Sequence, residues 1–175
     1  MAWLRTALTL ALVVTAVLLE LTALPLLHLP GATPDIVTVT VIALGFVGGP
    51  VRGAATGLFA GLLLDLVTPA DGVLGLTALV LVVIGYFAGL LGGDRDRSPL
   101  LTVVVAGLLA GSATLAFALV GGLVADPRIT WDRVPGLVLS QTVYAVFLAA
   151  FVVPGVAALW RRVDPPAPRY EIGRQ

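Results

Sequence analysis

The chain has 175 residues, of which 59% are hydrophobic and 11% charged, against about 25% charged in a typical soluble domain. Its mean hydropathy is +1.08, and its formal net charge of zero gives no case for nucleic-acid binding. The absence of cysteine excludes disulfides, thiolate catalysis and cysteine-ligated metals, and a single histidine, His28, excludes a multi-histidine metal site within one chain. A bilayer span needs roughly 20 apolar residues, and most of the chain divides into such stretches. The expected fold is therefore an all-α integral membrane protein. It is a six-transmembrane-helix bundle over residues 1–160, with a charged, Pro-rich tail at 161–175 expected to be disordered and cytoplasmic.

The first span is expected at about 5–27. Its apolar run is too long for a signal peptide, Glu20 interrupts it, and no small-x-small cleavage site follows. A turn-rich stretch, Leu29 to Asp35, leads to a short span at 36–47. Gly48-Gly49-Pro50 reads as a tight reversal, with Pro50 in the first turn of the next helix. That helix is expected at 51–67. One helix over 36–67 is disfavoured, since Pro50 and Arg52 stand at its middle. Thr68 to Gly72 is a turn, and spans follow at 73–91, 100–124 and 134–160. Asp94-Arg95-Asp96-Arg97 and the stretch from Asp126 to Arg133 read as polar loops. Pro154-Gly155 is a candidate kink in the last span.

Six spans put both termini on one side. That side receives Arg5, Arg52, Arg95, Arg97, Arg161, Arg162, Arg169 and Arg174, and the other receives Arg128 and Arg133. The imbalance places both termini in the cytoplasm by the positive-inside rule. Trp3, Trp131 and Trp160 fall near span ends, as an aromatic belt requires.

Gly49, Gly53, Gly57 and Gly61 recur every four residues, and the next step lands on Asp65. In water so many helical glycines would cost about 1 kcal/mol each against alanine. In lipid, small residues let helices approach closely. The third span therefore carries a packing face, as do the fourth (Gly85, Gly89, Gly93) and the fifth (Gly107, Gly111). The spacing marks helix contact and leaves open whether the contacted helix is internal or a partner's. Asp65 is open to two readings. It reaches the outer interface or caps a neighbouring helix, or it is a buried proton carrier or partner contact. Glu20 lies deeper and must face the bundle interior or a partner. The two acids are expected to bond to each other or to Tyr144, Gln141 or Ser140 of the last span, a polar set that falls at one depth. His28, at the outer mouth, reads as structural, and Tyr86 as a packing residue.

Enzyme readings fare poorly. An intramembrane serine protease needs a base beside a deep serine, and His28 is not so placed. A lipid phosphotransferase needs several acids in register around a metal. Asp71-Gly72 begins such a pattern, but the Ala-Arg and later acids that should follow are missing. No nucleotide motif occurs, and two acids are a thin basis for an ion pump. The expectation is a protein that is not an enzyme and uses no cofactor or metal.

Pro34-Asp35, the short apolar run after it, the Gly-rich hairpin and Gly57-Leu58-Phe59-Ala60-Gly61-Leu62-Leu63-Leu64-Asp65 form an ordered pattern. Leu74-Gly75 and Gly85-Tyr86 continue it. Over about residues 34–91 this pattern resembles the rod shape-determining MreD family, whose length and six-span layout also fit the chain. The resemblance implies a multi-pass protein of the bacterial inner membrane that works with MreC and, through it, with MreB, RodA and its penicillin-binding partner. It also implies a fold like that of the substrate-binding subunits of energy-coupling-factor vitamin importers, and no enzymatic activity. It maps Gly57, Gly61, Asp65 and Gly75 as structural or partner-contact positions. With Gly53, Gly85, Gly89 and Glu20 these are the candidate site residues. The alternative function is the substrate-binding membrane subunit of a vitamin-type transporter, against which the 7% aromatic content and few polar outer-loop residues argue.

Overall fold

The computed structural model describes residues 2–22, 34–67, 74–92, 98–124 and 129–164. Among them every regular element is helical: α1 (Ala2–Thr22), α2 (Ile36–Gly48), α3 (Pro50–Val67), α4 (Leu76–Leu91), α5 (Pro99–Leu123) and α6 (Val134–Val163), with a 3-10 turn at Trp131–Arg133 before α6. The expected helix count holds. Helices α1, α3, α5 and α6 are long and apolar enough to cross a membrane, whereas α2 has 13 residues and α4 has 16. At 1.5 Å per residue these two reach only about 20 and 24 Å, short of the roughly 30 Å hydrocarbon core. The chain thus has the make-up of a multi-pass membrane protein with two short helices among four long ones.

The short helix α2 is the centre of the bundle. It packs against every other helix, and Val37 through Gly45 are all buried. A helix apolar on all sides has no face to give to water or lipid headgroups, so burial is its stable place. Its residues seed both cores. Val41 and Leu44 pack with Val13 and Val17 of α1 and with Trp160. Val39 and Ile42 pack with Ile84 of α4, Ala106 and Ala110 of α5 and Ala145 of α6. Large apolar side chains such as Leu139, Phe147 and Phe151 point outward, as a lipid-facing surface requires.

The reversal before α3 is made by Gly49 alone, at φ +83°, and Pro50 opens α3. Gly49 therefore belongs to the turn, and the packing face begins at Gly53. Other boundaries differ from expectation for local reasons. Helix α4 starts at Leu76 and not at 73, because Gly75 turns the chain at φ +89°. Helix α6 runs through Pro154 without a break and continues to Val163, so Arg161 and Arg162 are its last turn and not the start of a tail. Beyond it, Asp164 forms an ion pair with Arg5 at 2.5 Å. The start of α1 and the end of α6 thus meet at one end of the bundle. Trp160 lies near the end of α6, as expected. It is buried, with the Arg52 guanidinium 6.0 Å from its ring centroid, because the starts of α1 and α3 and the end of α6 close over it. Trp3 and Trp131 are exposed, and so is Tyr86, which meets Phe87 edge to face.

Several expectations lie outside the described residues. They are the end of the first span at 23–27, His28, the turn at 68–72 with Asp71, Gly93, the loops at 94–97 and 126–128, and the tail from 165.

Candidate functional site

Three short-range arrangements involve the candidate residues. The first is the seam between α3 and α4. A Cβ at Gly53 would overlap the Gly85 carbonyl, one at Gly57 the Leu81 carbonyl, and one at Gly61 the Ala78 backbone. In return, a Cβ at Gly85 would overlap Gly53, and one at Gly89 would overlap Pro50. As the position rises along α3 its partner falls along α4, so the helices are antiparallel and touch backbone to backbone. Gly45 of α2 joins them, with its absent Cβ 2.9 Å from the Gly85 carbonyl oxygen. Three helix backbones therefore converge at Gly45, Gly53 and Gly85. The contacted helices here are the chain's own.

The second arrangement closes that seam. Asp65 is buried at 8% exposure, and its Oδ2 accepts from the backbone N–H of Gly75 at 2.9 Å and of Ala78 at 3.3 Å. The first amides of any helix lack intrahelical acceptors, and their positive dipole end favours a carboxylate. An acid near the end of α3 supplies the acceptor that the start of α4 lacks. Asp65 caps a neighbouring helix, one of the two readings its position allowed. Gly75 completes the cap, because its left-handed conformation presents its N–H to Asp65. For a residue with a side chain that conformation costs roughly 1–2 kcal/mol. Gly75→Ala should therefore lower stability by about that amount, read as a reduced midpoint in thermal or detergent unfolding, although a Cβ there meets only open space.

The third arrangement repeats this logic on α2 and opens onto a cavity. Asp35 is the helix N-cap, its Oδ1 accepting from the Thr38 N–H at 2.6 Å while the Thr38 hydroxyl donates to Oδ2. Glu20 of α1 accepts from the Val37 N–H at 2.9 Å. Both carboxyl groups thus serve the first turn of α2. Both border a cavity of about 480 Å³ to which all six helices contribute, Thr77, Thr114 and Gln141 among them. Gln141 is buried, and it shares this cavity with Glu20. Glu20 and Gln141 thus line one cavity, and Asp65 is not among its lining residues.

Asp35 and Thr38 are the site residues that sequence reasoning missed. Their signal was present as an Asp followed three positions later by Thr just before an apolar run, which is an N-cap pattern. Asp35 was read as the end of a turn and the entry of the family pattern, and not as a cap. Gly45 was missed as well, although it stands four residues before Gly49.

The cavity combines apolar walls with a few convergent polar groups, the usual make-up of a small-molecule site. A scan against family models finds no match to this chain, and a search of curated proteins finds none either.

Proposed function

We propose that this chain is a non-enzymatic scaffold of the bacterial inner membrane that serves the cell-wall elongation machinery, the role of the MreD family it resembles. The observation that carries the reading is the unit built by Gly53, Gly57, Gly61, Asp65, Gly75 and Gly85. The residues on which the resemblance rests hold one helix pair together and cap it. They are packing positions, as a scaffold would use them. In this reading all six helices cross the membrane, both termini face the cytoplasm, and the acidic cavity end faces outward toward MreC. Through MreC the protein would act on MreB, RodA and its penicillin-binding partner. Depletion in the native host should disturb cell shape and the pattern of new wall labelling, and MreC should co-purify with the tagged chain. Unchanged shape and labelling after depletion would sink the proposal.

The cavity favours a second reading, a substrate-binding membrane subunit like those of energy-coupling-factor vitamin importers. Its volume of about 480 Å³ falls in the range of ligand pockets, about 300–1,000 Å³. The composition had argued against such a pocket, yet the six helices line a partly open one with few polar residues. On this reading a vitamin should raise the melting temperature of the purified protein, and Gln141→Leu should remove the shift. A vitamin screen with no hit eliminates it.

A further inference from the structure

The opposite end of the bundle carries a second, smaller cavity, of about 240 Å³, between the starts of α1 and α3 and the end of α6. Arg5 and Arg52 line it, together with Trp160, Ala55, Phe59 and Leu10. Its two cations are held differently. Arg5 is tied to Asp164 through one terminal nitrogen, but its Nε is buried and has no acceptor among the described residues. Arg52 is exposed on its outer side and lies over the Trp160 ring, an interaction that fixes the guanidinium without using up its N–H donors. Helices α1 and α3 begin at this end and α6 ends there, so their dipoles largely offset and the positive potential comes from the arginines. Arg161 and Arg162 follow on α6, and Asp164 is the one acid at this end among the described residues. The other end holds Glu20, Asp35, Asp65 and Asp132 against Arg133.

The walls of this cavity are asymmetric. The cations sit at the helix ends, and Leu10 and Phe59, both partly exposed, continue the groove along the apolar outer surface. A soluble anion would use only the first part. A phospholipid uses both, its phosphate between the two guanidinium groups and an acyl chain along the leucine and phenylalanine. We propose that this groove is a binding site for an anionic phospholipid, held by its phosphodiester between Arg5 and Arg52. The volume accommodates a headgroup and excludes the acyl chains, which stay in the bilayer. The arginine-rich end is the one that the positive-inside rule assigns to the cytoplasmic leaflet, where anionic lipids attract basic groups. The inference stands independently of any role in wall synthesis.

The test uses the full chain in neutral detergent, with native mass spectrometry and thermal melting in the presence of phosphatidylglycerol, phosphatidylcholine or inorganic phosphate. Phosphatidylglycerol should be retained and should raise the melting temperature more than phosphatidylcholine does. Each arginine should contribute roughly fivefold to the preference, so Arg52→Gln should reduce it by about that factor. Arg161→Gln, outside the groove, should keep it. Ala55→Leu fills the groove with both charges intact and should abolish retention, which tests the site even if Arg52→Gln does not fold. Equal retention of the two lipids by the native chain overturns the proposal, as does full preference in Ala55→Leu. An equal loss in Arg161→Gln and Arg52→Gln would mean diffuse surface charge and also overturns it. So does an equal shift from inorganic phosphate, which would point to a soluble phosphorylated ligand.

Discussion

Gly57→Leu should prevent assembly of the bundle. The first added carbon already overlaps the Leu81 carbonyl of α4, and a backbone cannot rotate out of the way as a side chain can. Insertion of extra carbons into a packed interior costs about 1–3 kcal/mol where neighbours yield, and more where they do not. Here the whole of α4 would have to move away from α3, which would also separate Asp65 from the amides it caps. The expected result is an aggregated or polydisperse protein in detergent with no cooperative melting transition. Gly136→Leu is the matched control, since no atom lies within 4 Å of a Cβ at that α6 position. It should purify and melt like the parent. If Gly57→Leu behaved like Gly136→Leu, the close approach of α3 and α4 would be wrong.

Asp65→Ala should be the next most damaging change, by a different mechanism. No overlap is created, but the Gly75 and Ala78 amides lose their shared acceptor. A buried donor left without a partner costs about 1–3 kcal/mol, and two are stranded here. Asp65→Asn keeps a carbonyl oxygen at the same reach and should recover most of the loss. The comparison separates hydrogen bonding from charge. Midpoints in thermal or detergent unfolding should order as parent, then Asn, then Ala. An Ala variant as stable as the parent would remove the capping role, and an Asn variant as poor as Ala would show that the charge itself is needed.

The helix count and the close-packing faces were legible because lipid and glycine impose simple rules. Apolar length marks a helix, and small residues four apart mark a groove in its surface. The groove does not say what fills it. That Gly57 faces Leu81 and Gly53 faces Gly85 follows from where the turn at Gly75 sends the chain, and no periodicity along α3 encodes that register. The Asp65 cap was legible only as one of two readings, since its donors lie ten and thirteen positions onward, across a turn. Glu20 was harder still. Its partner Val37 becomes a neighbour only when α2 sinks into the middle of the bundle, and the brevity of α2 gave the only hint of that. The cavity was legible only as a polar set falling at one depth, because its shape is the space left where a short helix ends among longer ones.

Only Gly49 separates α2 from α3, so the ribosome delivers both to the insertion machinery as one hairpin. A 13-residue segment is too brief to be retained in a bilayer on its own, and its companion provides the anchorage during biogenesis. A chain truncated after Gly48 is anchored by α1, and its α2 segment should therefore stay open to a water-soluble label. One released after Val67 should exclude that label, with its first buried helix already threaded into place.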